Sequence, residues 1–198
     1  IDIVADSIYI SGPESSNDPF GADFTGLSAS SGIPGGTGGD INIATGSLLM
    51  TNRSSIFSTA SGPDQGGDIN IEAKSVDILN GAVINGSAYG SGNGGKINIA
   101  ADSLRISGVH PEMYVHGNTG KESLSPSSII SQAVQNSGNG GTITITAGQL
   151  ELLDGGVLST DTYGAGNAGN IDVVADSLLV AGINDDLRDF LASNGSDP

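Results

Sequence analysis

Six near-copies of one short motif recur along the chain, and their spacing limits what it can fold into. The copy at Gly94–Leu104 reads GGKINIAADSL. It is matched at Gly38–Leu48 (GGDINIATGSL), Gly66–Val76 (GGDINIEAKSV), Gly140–Leu150 (GGTITITAGQL) and Ala168–Leu178 (AGNIDVVADSL). A front-truncated copy, IDIVADSI, starts at Ile1. The opening isoleucines, Ile1, Ile41, Ile69, Ile97, Ile143 and Ile171, are separated by 40, 28, 28, 46 and 28 residues. That is a 28-residue repeat carrying insertions of 12 and 18 residues. A fixed period in this range marks a solenoid or a propeller-like array.

Within a unit, apolar residues alternate with polar ones, as at Ile69/Ile71 and Val76/Ile78, before Val83-Ile84. Alternation of period two marks strands. The same three strand cores are expected at Ile41/Ile43, Leu48/Met50 and Ile56; at Ile97/Ile99, Leu104/Ile106 and Ile130; and at Ile143/Ile145, Leu150/Leu152 and Leu158. Propeller blades need about 40 residues and four strands, so three short strands per 28 residues favour one coil of an all-β parallel β-helix, with about six coils in a single domain over residues 1–198. One coil buries too few aliphatic side chains to offset the entropy of ordering its backbone, so the coils must stack. Stacking aligns like residues in columns. Serines are expected at Ser7, Ser47, Ser75, Ser103 and Ser177, with Gln149 the exception. Amides are expected to stack at Gln65, Asn93, Asn139 and Asn167 before the glycine pair, in turns that favour positive φ. Asn80-Gly81 and Asn85-Gly86 look like hairpin turns, but the coil spacing of their flanking strands overrides that signal.

The interruptions fall after the second strand of a coil: residues 12–25, 108–126 and 182–198. In the last of these, Asp185–Ala192 has the pattern of a short helix using Leu187, Phe190 and Leu191. Insertions in a solenoid map to loops on one side, often the binding side. Phe20, Phe24, Tyr114 and Phe190, half of the four Tyr and four Phe, lie in these stretches. Asp18, Phe20, Phe24, His110, Tyr114 and His116 are therefore the candidate binding residues.

Composition narrows the function classes. Six Lys and Arg against 22 Asp and Glu give a net charge of −16, which repels phosphate backbones and disfavours nucleic acid as a partner. With no cysteine there are no disulfides and no thiolate metal sites. No apolar run reaches the roughly 18 residues of a membrane-spanning helix. The chain opens and closes inside repeats, without an initiating Met or a signal peptide, and is expected to be a piece of a longer protein.

The unit GNGGxIxIxAxxLxI, as in Gly92-Asn93-Gly94-Gly95-Lys96-Ile97-Asn98-Ile99-Ala100 with Leu104 and Ile106, resembles the repeats of filamentous-haemagglutinin-like large exoproteins. Gly166-Asn167-Ala168-Gly169-Asn170-Ile171 followed by Ala175-Asp176-Ser177-Leu178 resembles them equally. Those are the secreted partners of two-partner secretion systems. The resemblance implies a right-handed, single-stranded parallel β-helix, export through an outer-membrane secretion partner to the bacterial cell surface, and adhesion or community formation. It implies no particular binding residues, because the family repeat is scaffold.

Three functions follow in order of expectation. The first is a non-enzymatic rigid stalk or adhesin that meets cell-surface or matrix glycans or proteins. The second is a structural fibre assembling end to end. The third is a polysaccharide-processing enzyme, which needs two carboxylates about 5–10 Å apart. Asp6, Asp102 and Asp176 share one repeat position, as do Asp40 and Asp68, and Asp2 and Asp172; they are expected to be solvated scaffold acids. His110 and His116 bracket Glu112 and Tyr114, yet a spacing of six on a loop is expected to be surface rather than a metal site. No cofactor is expected beyond weak calcium. Gly35–Asp40 (GGTGGD) is a lone copy of a calcium-binding element that works in tandem. Glu14, Asp18 and Asp23, with Asp185, Asp186 and Asp189, offer diffuse acidic loops.

Overall fold

The computed structural model describes residues 1–12, 25–32, 36–115, 122–135 and 137–182, with the backbone alone at 111–115 and 122–124. The described residues form strands and turns and no helix: β1 (Asp2–Ser11), β2 (Gly26–Ser28), β3 (Ile41–Thr51), β4 (Ser55–Phe57), β5 (Ile69–Leu79), β6 (Val83–Asn85), β7 (Lys96–Ser107), β8 (Val109–Val115), β9 (Glu122–Pro126), β10 (Ser128–Ile130), β11 (Thr142–Leu153), β12 (Val157–Ser159) and β13 (Asn170–Val180). Long and short strands alternate between two parallel sheets. The long ones stack in the order β1-β3-β5-β7-β11-β13, and the short ones as β2-β4-β6-β10-β12. Both sheets thus run in chain order, as a β-solenoid requires. A third line of single parallel bridges joins Ser31, Ala60, Ala88, Ala133 and Thr162.

The register carries the repeat into space. Ile41 pairs with Ile69, Ile69 with Ile97, Ile97 with Ile143 and Ile143 with Ile171. The serine column stands as expected, Ser7-Ser47-Ser75-Ser103-Gln149-Ser177. Ile41, Ile69, Ile97 and Ile143 are fully buried, and the columns through Ile43, Leu48, Met50 and Ile56 complete one continuous core.

Two expected strand cores are fused in each long strand. In β5 the inward residues change parity, from Ile69, Ile71 and Ala73 to Val76 and Ile78. Lys74 and Asp102, opposite each other at this point, are both left unpaired, while the 28-residue offset between β5 and β7 is unchanged. Side chains alternate along a straight strand, so a change of inward parity keeps the later residues on the core only if each strand turns a corner here. The third core of the fourth unit is corrected as well. Ile129, not Ile130, is fully buried and aligned with Ile84 and Leu158; Ile130 stands beside Asn85 and Ser159.

The glycine pair has a steric cause. Gly39, Gly67, Gly95, Gly141 and Gly169 each donate their N–H across the coil, to the carbonyls of Ala29, Ser58, Gly86, Ser131 and Thr160. A Cβ on Gly95 would overlap the carbonyl of Gly67 and stand 2.8 Å from that of Gly66. Buried hydroxyls complete this narrow waist: Ser131 Oγ donates to the Gly95 carbonyl at 2.6 Å.

Three of the expected amides stack, with Asn139 N–H on Asn93 Oδ1 and Asn167 N–H on Asn139 Oδ1, both at 2.8 Å. They do not take positive φ. Those angles occur instead at Asn52, Arg53, Asn80 and Asp154, and at Gly81, Gly108 and Gly155.

Candidate functional site

Asn52-Arg53, Asn80-Gly81 and Asp154-Gly155 are the central pairs of three stacked turns, each with both φ values near +50 to +86°. Each is closed by an i to i+3 bond, from Ser54, Ala82 and Gly156 N–H to the carbonyls of Thr51, Leu79 and Leu153. Two positive φ values define a type I′ turn, usually a hairpin connection. Here the same turn passes the chain from the long strand to the short strand of the other sheet.

All three interruptions leave at this corner. Gly12 N–H bonds the Thr51 carbonyl, Gly108 N–H (φ 84°) the Leu153 carbonyl, and Ala181 N–H the Leu152 carbonyl. Their expected placement on one edge thus has a local reason. At this corner the turn is lengthened while the strand register above and below is kept.

The insertion expected as the loop 108–126 contains a structured β-hairpin. Strands β8 and β9 pair antiparallel, Val109 with Pro126 and Val115 with Glu122, with an irregularity between His110 and Tyr114. Its base is closed by Ser127, whose N–H bonds the Gly108 carbonyl at 2.9 Å and whose hydroxyl donates to the Ser107 carbonyl at 2.7 Å. Leu79 to Ala82 spans three positions, and the equivalent Ser107 to Ser127 spans twenty. Seventeen of the 18 extra residues therefore lie at the corner. The last lies between Ala133 and Gly140, seven positions where Ala88 to Gly94 has six.

The hairpin base sits between two neighbouring turns. A Cβ on Gly81 would stand 2.8 Å from His110 Cβ and 2.9 Å from the Ser125 carbonyl, and one on Gly155 would stand 3.1 Å from Val109 Cγ1. Glycine at 81 and 155 serves the turn and the seat of the hairpin together.

Of the sequence candidates, His110 is buried, with 3% exposure, at the foot of the hairpin. Tyr114 lies on β8, its backbone opposite Ser123. Asp18, Phe20, Phe24 and His116 lie outside the described residues, as do Glu14, Asp23, Asp185, Asp186, Asp189 and the helical pattern Asp185–Ala192. Among the described residues, no group of three or more His, Asp or Glu gathers to hold a metal. Asp40, from the GGTGGD element, accepts the N–H of Asp68 at 3.1 Å, and Asp68 accepts that of Lys96 at 2.9 Å.

Two outer features escaped the sequence reading. Asn42, Asn70 and Asn98 form a side-chain ladder, each Nδ2 donating one rung down at 2.8–2.9 Å and ending on Asp2 Oδ1. Their common repeat position was the available signal. The ladder borders an open groove of about 470 Å³ along the outer face of the long strands, floored by Ala44, Ala100 and Thr146. Beyond the bend, Arg105 Nε bonds Glu151 Oε2 at 2.9 Å, the one ion pair among the described residues. That hydrogen bond, then the charge of Glu151, holds the guanidinium pKa above its usual value.

Comparison of the chain with protein-family models, with curated proteins and with solved structures returns no match.

Proposed function

We propose that the chain is a segment of a secreted, cell-surface exoprotein, a right-handed parallel β-helix of about six 28-residue coils that acts as a rigid adhesive scaffold. The observation that carries this reading is the convergence of the interruptions on one corner of an otherwise regular stack. A stack whose rungs are fixed by backbone bonds presents that corner at a constant spacing. The inserted segments, with Phe20, Phe24, Tyr114 and His116 among them, are where ligand contact belongs, and surface glycans or proteins are the partners. His110, buried at the hairpin base, belongs to its support. Asp40 and Asp68 accept backbone N–H groups, Asp2 ends the amide ladder and Glu151 pairs with Arg105, and these scaffold roles favour a non-enzymatic reading over polysaccharide processing.

The test replaces residues 108–126 by Asn-Gly, and separately 12–25 by Asn-Gly-Ser, restoring the short corner turn. Binding to immobilised matrix glycans and to whole cells is compared with that of the intact chain. Lost binding with an unchanged melting temperature supports the adhesive corner. Full binding by both variants rejects it.

A further inference from the structure

The short strands and the residues that follow them carry almost no charge. Residues 26–32, 55–61, 83–89, 128–134 and 157–163 hold Asp161 and no other Asp, Glu, Lys or Arg, in a chain with 22 acids and six Lys and Arg. The same rungs hold two of the four tyrosines. Tyr89 and Tyr163 directly follow Ala88 and Thr162 in the line of single bridges. Their N–H groups donate to the Ala60 and Ala133 carbonyls at 2.7 and 3.0 Å, and Val134, on the rung between, donates to Ala88 in the same way at 2.9 Å. The three residues thus share one position on successive rungs, and the tyrosines stand two strand spacings apart, about 9.6 Å. Tyr89 is 42% exposed on an inner rung and Tyr163 68%. The outward direction of this column is therefore set by the register, whatever stacks beyond Thr162.

The Tyr89 ring is held as a platform. Its phenol oxygen accepts Asn85 Nδ2 at 3.2 Å, four residues back along the face. Asn85 and Ser87 alternate with the inward Ile84 and Ala88, yet both are buried. The ring lies back over this stretch, with one side turned to solvent. Beside it stand hydrogen-bonding groups in fixed positions. Gln132 N–H donates to Ser87 Oγ at 2.9 Å, and Gln132 Nε2 to Ser159 Oγ at 2.8 Å and Asp161 Oδ2 at 3.3 Å. An aromatic face takes the C–H face of a sugar ring, while amide, hydroxyl and carboxylate at its rim take the hydroxyls. In an extended β-1,4-linked hexose chain alternate rings present the same face, and that disaccharide repeat is close to two strand spacings. A face with one carboxylate and no cation, on a chain of net charge −16, repels sulfated and uronic-acid chains.

We propose that the outer face of the short sheet binds an uncharged β-1,4-linked hexose chain lying along the stack axis. Tyr89 and Tyr163 stack on alternate rings, Val134 lies under the ring between them, and Gln132 and Asp161 bond its hydroxyls. This site is separate from the adhesive corner, because the tyrosines lie past the opposite ends of the short strands.

The test is isothermal titration of the full chain with cellohexaose and chitohexaose, with maltohexaose and an oligogalacturonate as mismatched probes. The native chain should bind at least one β-1,4-linked probe, the tighter one naming the hexose, and neither mismatched one. Tyr163→Ala should weaken binding about tenfold at unchanged melting temperature, and Tyr163→Phe, which keeps the ring, should retain it. Tyr9→Ala, which removes a tyrosine 66% exposed on the long sheet, should bind as native. The chains with 108–126 or 12–25 replaced should also bind as native, so that this site and the corner fail separately. No binding of either β-1,4-linked probe, equal binding of a mismatched one, full affinity in a folded Tyr163→Ala chain, or loss of binding in Tyr9→Ala or a corner variant would each overturn the proposal.

Discussion

Replacing Gly95 with alanine adds one methyl group where the fold has no space for it. The new Cβ would overlap the Gly67 carbonyl and stand 2.8 Å from the Gly66 carbonyl, and both obstacles are backbone atoms of the rung below. A side chain could rotate away; a hydrogen-bonded rung cannot. Relief requires the glycine segment to lift by roughly 1 Å, which stretches the 2.8 Å bond from Gly95 N–H to the Gly86 carbonyl. Overpacking of a tight interior costs about 1–3 kcal/mol. A buried N–H left without its partner costs about 1–3 kcal/mol more. The expected loss is therefore about 2–6 kcal/mol, measured as a fall in the urea midpoint at unchanged m-value. Gly32 is the control: among the described residues a Cβ there meets nothing within 4 Å, and its φ is not positive. Gly32→Ala should be neutral or stabilising by up to about 1 kcal/mol. If Gly95→Ala also changes stability by less than about 0.5 kcal/mol, the steric explanation of the glycine pair is wrong.

Two further outcomes follow from the same geometry. Ile97→Ala, in a fully buried rung, should cost about 2–5 kcal/mol, and Ile171→Ala in the same column, 40% exposed on β13, clearly less by the same urea titration. Arg105→Gln should cost no more than about 1 kcal/mol and lose its effect in high salt, because half of the arginine side chain is exposed. The raised guanidinium pKa contributes stability below the ordinary arginine range that is lost only as pH climbs through the raised value; stability–pH curves of native and Arg105→Gln chains should therefore run parallel across neutral and mildly alkaline pH.

The stacking was legible because the core repeats. Isoleucine returns at one position six times, and parallel strands convert that period into a column. The serine column and the shared corner of the insertions followed from the same count. What stayed hidden depends on geometry within a turn. Nothing in INIEAKSVDIL announces that its two alternating halves belong to one bent strand, because the parity change at Lys74 shows only against neighbouring rungs. Ile129 and Ile130 are equally apolar, and only register separates them. The left-handed turns were partly obscured by Asn52-Arg53, where no glycine marks the positive φ values. The hairpin in the long insertion was missed because residues 108–117 (GVHPEMYVHG) lack the repeat's alternation and include Pro111. The burial of His110 depends on a seat built by residues nearly thirty positions away, at Gly81.

The central claim is that each repeat adds one strand spacing along a single axis. The chain has no cysteine, so pairs can be introduced for spin labelling without background. Val4, Thr146 and Val174 occupy one outward column, four and five rungs apart. Electron–electron distance measurement on Val4→Cys/Thr146→Cys and Val4→Cys/Val174→Cys should give backbone separations of about 19 and 24 Å, a step of about 4.8 Å for the last 28 residues. Equal distances in the two pairs, or a difference well beyond one strand spacing, would contradict the stacked architecture.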